Sequence, residues 1–315
     1  MRKPVKKPIS PFFFVLIFYL TLVEIAPIQA NPGLNLIVKT DKEKYYAKDM
    51  VQVFGNLTLD GVLVTDGLVG IQIQNSENDL LIIRTILTGS LPPEPPYVSV
   101  QYVVSCDSAG NPKFSFHRKE LAYFKMRVAN LDIEPRDVLM TVNTYYNDST
   151  PFGYAAIQTT IPGQTFPTFI ISIPIPVDAV IGTATVYANA YTDWPEYGGT
   201  PYCKEVNNTF EITEGTFGVG QLAQSPLPTI QQTNETGNYN TTFGLPRKSP
   251  YGNYTVYVTS RYLGESIFNS TTFIVYILGD LGGPVNFVPT FFAFDGEVDG
   301  YDFALFIACY KGLGP

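Results

Sequence analysis

The sequence predicts an all-β protein made of several β-sandwich modules in series. Its 21 Tyr, 26 Gly and 25 Pro, with many Thr and Asn, favour strands and turns over helices. Val69, Ile71 and Ile73 alternate with small or polar residues, which is the period of a half-buried strand. A proline, glycine and strand pattern also recurs further along the chain. The 315 residues exceed what one core normally fills, so several modules are expected.

The N-terminus has the layout of a secretory signal. Basic residues precede an apolar run over residues 12–23, and small residues follow at Ala26 and Ala30. The run is short for a membrane span, which needs about 20 residues. We predict a signal peptide over residues 1–30 with cleavage after Ala30, and a signal anchor extending through Ile28 is the alternative. The expected location is secreted or cell surface.

The charge of the remaining chain limits its partners. Residues 1–30 hold four of the 20 basic residues and one of the 28 acidic ones, which leaves 16 basic and 27 acidic residues and a formal net charge of −11. An acidic surface repels nucleic acid and anionic lipid, so no nucleic-acid partner is expected.

The first module is predicted over residues 31–92. Its short alternating runs are separated by Asp, Gly, Lys and Asn, and the order TDK..Y..KD.V.V.G.L from Thr40 onward resembles the opening strands of immunoglobulin-like modules of surface proteins and of macroglobulin-type repeats. The resemblance implies a fold and no activity. The sequence LPPEPP over residues 91–96 cannot join a central strand, because proline has no N–H to donate, and it predicts a stiff linker.

The second module is predicted over residues 93–213, with strands over 124–130, 138–146, 155–161 and 169–175. The turns at Asn130 and Pro162-Gly163 and the strands around Gly182 resemble cell-adhesion-related sandwich modules of archaeal and bacterial surface proteins. This resemblance implies an extracellular β-sandwich in a secreted protein of archaeal type.

An internal repeat predicts the third module, over residues 214–278. Pro176, Gly182 and the Thr-Val-Tyr at 185–187 recur 70 residues later as Pro246, Gly252 and the Thr-Val-Tyr at 255–257. In each copy a strand that contains Thr-Phe follows, and we expect it to be the last strand of its module.

The cysteines suit an exported protein. Cys106 and Cys203 both lie in the second module, and we expect them to form a disulfide. Two separate buried thiols are the alternative. Cys309 is left over in an apolar segment and is expected to be a core residue.

Asn-x-Ser/Thr triplets predict N-glycosylation of an outer surface, with chance occurrence in an Asn- and Thr-rich chain as the alternative. The seven acceptor residues are Asn56, Asn147, Asn207, Asn234, Asn240, Asn253 and Asn269.

The C-terminal segment, residues 279–315, contains FDGEVDGYDFALF, which fits the second half of an EF-type calcium loop. The spacing predicts side-chain ligands from Asp295, Asp299 and Asp302 and a carbonyl ligand from Glu297. Gly296 would make the sharp turn, and a short apolar helix is expected to follow the loop.

This segment resembles a dockerin repeat, and Asp280 resembles the first acid of such a loop, although eleven inserted residues separate it from the rest. Phe291 and Ala293 occupy the positions of two ligands. The resemblance implies calcium and a cohesin partner, but a dockerin has two repeats and one is present here. A loop retained for packing and a solvated acidic turn are the alternatives.

A further candidate site is the loop that contains Tyr191, Trp194 and Tyr197. Aromatic rings beside acids could form a sugar platform or a protein anchor. The alternative is that Trp194 caps the sandwich core.

We therefore predict a non-catalytic extracellular surface, adhesion or assembly protein whose partner is a protein or glycan on an extracellular surface. His117 is the single histidine and no nucleophile motif accompanies it, so no enzyme is expected. A carbohydrate-binding accessory component of a secreted enzyme system is one alternative, and a piece of a larger secreted hydrolase is another.

Overall fold

The computed structural model describes residues 33–214 and 236–276, and these contain seventeen β-strands. No helix long and apolar enough to cross a membrane occurs in these two ranges. The predicted signal sequence and the predicted calcium segment lie outside them. The strands are β1 Leu34–Thr40, β2 Lys44–Tyr46, β3 Met50–Leu59, β4 Val62–Leu63, β5 Leu68–Gln74, β6 Leu80–Leu87, β7 Val98–Cys106, β8 Ser115–His117, β9 Leu121–Asn130, β10 Arg136–Tyr146, β11 Pro151–Ile161, β12 Thr168–Pro174, β13 Gly182–Tyr191, β14 Val206–Thr213, β15 Asn238–Gly244, β16 Gly252–Tyr262 and β17 Glu265–Tyr276.

The strands form four sheets, which we call A to D. Sheet A has the order β1-β3-β15, with β4 paired to β3, and sheet B has the order β2-β17-β16-β5-β6. Sheet C has the order β12-β9-β7, and sheet D has the order β11-β10-β13-β14-β8. The all-β prediction is confirmed, as are the predicted strands of the second module, each within a few residues.

Sheets A and B enclose one hydrophobic core and sheets C and D enclose another. We call the first pair lobe 1 and the second pair lobe 2. Tyr45 packs edge-on against Phe273 in lobe 1, with ring centroids 5.1 Å apart, and Phe116 packs edge-on against Phe210 in lobe 2 at 5.8 Å. Burying a large apolar side chain of this kind stabilises a fold by about 1.5–3 kcal/mol.

The structure corrects the predicted division into modules. β15 pairs with β3, and β16 pairs with β5, so the segment assigned to a third module completes the sheets of the first. Lobe 1 is therefore assembled from residues 34–88 and 236–276, and lobe 2, residues 97–214, is inserted between β6 and β15. The prediction of a separate third module is wrong. The last strands of lobe 1 follow lobe 2 in the chain and resemble the last strands of lobe 2 in sequence, so they have the appearance of a further module.

The two lobes share one topology, which explains the repeat in the sequence. β2 joins the end of sheet B parallel to β17, and β8 joins the end of sheet D parallel to β14. Gly182 and Gly252 begin the equivalent strands β13 and β16 with φ of 120° and 118°, a conformation that favours glycine. The preceding proline loops cross between sheets, and the antiparallel hairpins follow them as β13–β14 and β16–β17.

Strand β5 departs from its predicted half-buried pattern, since all seven of its residues are buried. Ile71 and Ile73 face the core of lobe 1. The opposite face is covered by lobe 2, where the Tyr191 ring approaches Gly70 so closely that an added Cβ would lie 2.7 Å from it. The surface between the lobes, which we call the seam, is therefore an interior of the protein.

Candidate functional site

The seam begins at the outer edge of sheet B, where no further strand of residues 33–214 or 236–276 pairs with β6. Side chains of lobe 2 take the place of that strand. Asn143 Oδ1 accepts a hydrogen bond from the Ile83 N–H at 3.0 Å, and Asn189 Nδ2 donates to the Ile83 carbonyl at 3.4 Å. Unpaired strand edges invite association with other chains, so this capping protects β6.

A buried ion pair joins the lobes beside this edge. Arg84 Nε donates to Glu205 Oε2 at 2.8 Å, and Arg84 Nη2 donates to Glu205 Oε1 at 2.6 Å. The two side chains are only 7% and 6% exposed. Burial opposes the charged form of Arg84, but attraction and hydrogen bonding by Glu205 outweigh it and hold the pKa of Arg84 above its ordinary value.

Aromatic side chains surround the guanidinium group. The Arg84 Cζ lies 3.6 Å from the centroid of the Tyr187 ring and 5.3 Å from that of Tyr145. The two rings pack edge to face at 5.4 Å. This arrangement supplies cation–π attraction where water is excluded. Such a bidentate, stacked site suits arginine and not lysine.

A second group of contacts joins the loop after β13 to β5 and β16. Gln74 Nε2 donates to Glu196 Oε2 at 2.6 Å, and the Glu196 N–H donates to Gln72 Oε1 at 3.2 Å. Thr259 Oγ1 also donates to the Gly199 carbonyl at 2.7 Å. The polar face of β5 therefore contacts lobe 2 and does not face solvent.

The predicted aromatic ligand loop is divided by this packing. Tyr191 is fully buried, donates to the Arg84 carbonyl at 2.5 Å and accepts from Thr85 Oγ1 at 2.9 Å. Trp194 packs against the small cluster of Ile83, Leu139 and Tyr191. Tyr197 alone of the three is largely exposed, at 73%. The three rings form no common exposed platform, and Trp194 caps the seam where a sandwich core had been expected.

The predicted disulfide between Cys106 and Cys203 is not present, and among the described residues both are buried free thiols. Cys203 Sγ accepts a hydrogen bond from the Val100 N–H at 3.4 Å, near the start of β7, whereas Cys106 ends that strand. Six residues of strand span about 20 Å, far beyond the reach of a disulfide. Burial raises the pKa of Cys203 to about 11, which keeps the thiol protonated and unreactive. Cys309 lies outside the described residues.

The predicted glycan acceptors occupy different environments, and Asn234 lies outside the described ranges. The Asn269 amide donates to the Leu36 carbonyl at 2.7 Å, a bond that a glycan on that nitrogen would disturb. Asn147, Asn240 and Asn253 are exposed, whereas Asn56, Asn207 and Asn269 are half-buried.

The predicted calcium ligands Asp280, Asp295, Glu297, Asp299 and Asp302 lie outside the described residues. Within residues 33–214 and 236–276 there is no cluster of three or more His, Cys, Asp or Glu residues that could hold a metal ion. His117 is exposed, and its Nδ1 lies 2.7 Å from Thr213 Oγ1.

A cavity of about 310 Å³ lies in the seam beside Arg84, and we call it the seam cavity. Lobe 1 contributes Arg84 and residues 240–242, and lobe 2 contributes residues near the ends of β10 and β13. The Tyr145 hydroxyl, on its wall, is buried beside the Arg84 guanidinium, and within the described residues no acceptor takes its proton. Two larger clefts of about 680 and 880 Å³ also lie between the lobes, the first beside the proline linker and the second beside Tyr146 and Phe152.

Our sequence reasoning did not identify Arg84 and Glu205. The sequence contains one indication of a buried ion pair: Arg84 interrupts the apolar strand LLIIRTIL, and a buried charge requires a partner. Nothing in the sequence indicates which of the 28 acidic residues that partner is.

No protein-family model matches the chain, and no curated protein sequence matches it. Among solved structures, the C-terminal domain of wzt is 14% identical with a TM-score of 0.32, covering 43% of this chain and 86% of that domain. A β-glucuronidase of Bacteroides uniformis is 10% identical with a TM-score of 0.28, and a β-glucuronidase of glycoside hydrolase family 2 is 7% identical with a TM-score of 0.27. Each match covers 52% of this chain but only 26% and 24% of the two enzymes. No conclusion about function rests on these weak similarities.

Proposed function

We propose that the protein is a non-catalytic extracellular surface or assembly component, in which two immunoglobulin-like sandwiches act as one rigid unit. The observation that carries this proposal is the buried Arg84–Glu205 ion pair between the lobes. Neighbouring domains move relative to one another unless their interface is extensive. Here the two carboxylate oxygens of Glu205, the tyrosine rings around Arg84 and the capped edge of β6 oppose such motion.

The proposed role is to hold binding surfaces at a fixed spacing on the outside of a cell. The nested chain path supports this role, because lobe 2 is attached to lobe 1 at both of its ends and not by one linker. We further propose that the C-terminal segment is a calcium-dependent docking element with Asp280, Asp295, Glu297, Asp299 and Asp302 as its ligands, and that its partner is another protein or a glycan of the cell surface.

The rigid unit can be tested with spin labels on exposed positions of the two lobes. Leu63 and Ile133 are 44% and 72% exposed, so Leu63→Cys and Ile133→Cys in a Cys309→Ser background would carry the labels. We expect one narrow distance distribution by double electron–electron resonance. Labelling of intact cells with a membrane-impermeant reagent would test the location in parallel.

The matched comparison uses two ion pairs that both join the lobes. Glu205→Gln removes the buried pair and is expected to broaden the distance distribution. Asp178→Asn removes an exposed ion pair, in which the side chain of Asp178 is 60% exposed and that of Lys248 is 81% exposed. This variant should leave the distance distribution unchanged. A broad distribution in the parent protein, or absence of label on intact cells, would refute the proposal.

A carbohydrate-binding accessory role is the second candidate function. The Trp194 loop no longer supports it, because Tyr191 and Trp194 are occupied in the seam. The observation that favours it is the polar seam cavity.

A further inference from the structure

The seam cavity has the chemistry of a site for hydroxyl groups. Nine of its ten lining residues carry a neutral hydroxyl or carboxamide group, and the tenth is Arg84. Such groups both donate and accept hydrogen bonds, as the hydroxyls of a sugar do. The lining has no aliphatic residue, so it does not suit an apolar ligand.

The charge of Arg84 does not make this an anion site. Its Nε and Nη2 are directed at the two carboxylate oxygens of Glu205, which neutralises the guanidinium charge within the seam. A neutral ligand therefore fits the electrostatics of the cavity. At about 310 Å³ the cavity is at the lower end of the roughly 300–1,000 Å³ range of small-molecule sites, which suits one sugar ring.

Tyr145 supplies the observation that points to a ligand. Tyr145 is 3% exposed and lines the cavity. The Arg84 guanidinium, which can only donate, lies beside its hydroxyl oxygen, and no acceptor in the described residues takes the hydroxyl proton. An unsatisfied buried polar group is costly, and native structures contain few of them. A ligand hydroxyl in the cavity would satisfy this group.

We propose that the seam cavity binds a single saccharide unit, with the Tyr145 hydroxyl as one of its hydrogen-bond partners. The inference rests on the second candidate function and is independent of the rigid scaffold. The saccharide has two possible sources: a free glycan, or a sugar attached to the protein itself. Asn147 and Asn240, one from each lobe, are both acceptor asparagines and both line the cavity.

The first arm of the test uses full-length protein made without glycosylation. Glucose, galactose, mannose and N-acetylglucosamine are titrated separately by saturation-transfer NMR and calorimetry. We expect at least one sugar to bind in the millimolar range. Tyr145→Phe should weaken this binding by about tenfold with little change in Tm, because the hydroxyl proton has no acceptor to lose. Thr185→Leu, which fills the cavity with an apolar side chain, should abolish binding.

Tyr202→Phe is the matched control. The Tyr202 hydroxyl lies outside the cavity and donates to the Asp137 carbonyl at 3.0 Å, so this variant should lose some stability and keep its sugar affinity. If Tyr145→Phe lowers Tm as much as Tyr202→Phe does, the Tyr145 hydroxyl proton has an acceptor within the protein and the proposal is overturned.

The second arm uses protein from a secretory host that glycosylates Asn-x-Ser/Thr. If an attached sugar fills the cavity, mass spectrometry will find it on Asn147 or Asn240, and Tyr145→Phe will lower the Tm of this form. The same substitution will have no effect in an Asn147→Gln, Asn240→Gln background. Absence of binding in the first arm together with absence of a Tyr145-dependent shift in the second would overturn the proposal.

Discussion

Lys48 and Lys119 adopt the same left-handed backbone conformation, with φ of 73° and 68°, at equivalent points of the two lobes. The Lys48 N–H donates to the Leu245 carbonyl at 3.1 Å, and the Lys119 N–H donates to the Ile175 carbonyl at 3.0 Å. The next residue is an acid in both lobes, and its carboxylate accepts from the N–H three residues earlier, Tyr46 in one lobe and His117 in the other. The two lobes therefore share a turn as well as a strand order.

This turn predicts the effect of substituting either lysine. Both side chains are exposed, so the backbone conformation decides the outcome. Val is strained at positive φ, and Lys48→Val or Lys119→Val should destabilise the protein by about 1–2 kcal/mol relative to the corresponding Gly variant. Urea unfolding would measure the difference. Equal stability of the Val and Gly variants at both sites would contradict the shared turn.

The buried ion pair predicts a large loss of stability on removing one partner. Glu205→Gln leaves Arg84 charged and without a counter-ion in the seam, which should cost about 3–5 kcal/mol. Asp178→Asn removes an exposed pair between the same lobes and should change stability by less than about 1 kcal/mol. Thermal unfolding of both variants would show the contrast, and similar Tm values would argue against the seam as described.

Glu120 predicts a dependence of stability on pH. Burial opposes its charged form, but hydrogen bonds from Lys113 and the His117 N–H outweigh burial, so the pKa of Glu120 is below its ordinary value of 4.5. A lowered pKa in the folded state stabilises the protein above pH 4.5, and this stabilisation is lost as the pH falls through the folded-state value. Glu120→Gln should therefore be less stable than the parent at pH 7 and should approach it in Tm as the pH drops below 4.5. A difference that stays constant with pH would contradict this.

The nested chain path predicts which fragments fold. Residues 97–214 contain all strands of lobe 2 and should give a cooperative unfolding transition when expressed alone. Residues 236–276 contain strands whose partners are β3 and β5, and this fragment should show no folded circular dichroism signal. A folded 236–276 fragment would restore the third module that the sequence had suggested.

The calcium proposal predicts heat on titrating the full chain. Calcium binding by the C-terminal loop should be abolished by Asp295→Ala with Asp302→Ala, because these remove two ligand carboxylates. Calorimetry of both proteins would test this, with Asp178→Asn as a control for loss of a surface carboxylate. Absence of heat in the parent protein would leave the loop without a metal.

Much of the fold could be predicted from the sequence because strands have a local signature. The alternation in β5 identified a strand correctly, and the proline-rich residues 91–96 lie between β6 and β7 and join neither strand. Pairing across the insertion could not be predicted in this way, since nothing local marks β15 as the partner of β3. The candidate site was missed for the same reason: Arg84 and Glu205 are 121 residues apart and meet only when the lobes pack.

Insertion of lobe 2 into lobe 1 also fixes an order of events during synthesis. Met50 and Gly244 are paired neighbours in sheet A, so β3 lacks this partner until some 190 further residues have emerged. The last strand of lobe 2 ends at Thr213, and the last strand of lobe 1 ends at Tyr276. Lobe 2 can therefore fold while β3 and β5 still lack their partners β15 and β16 and have open edges exposed to other chains. We therefore expect folding of lobe 1 to be the later and more aggregation-sensitive stage, and a chaperone that shields nascent strands would act on residues 34–88.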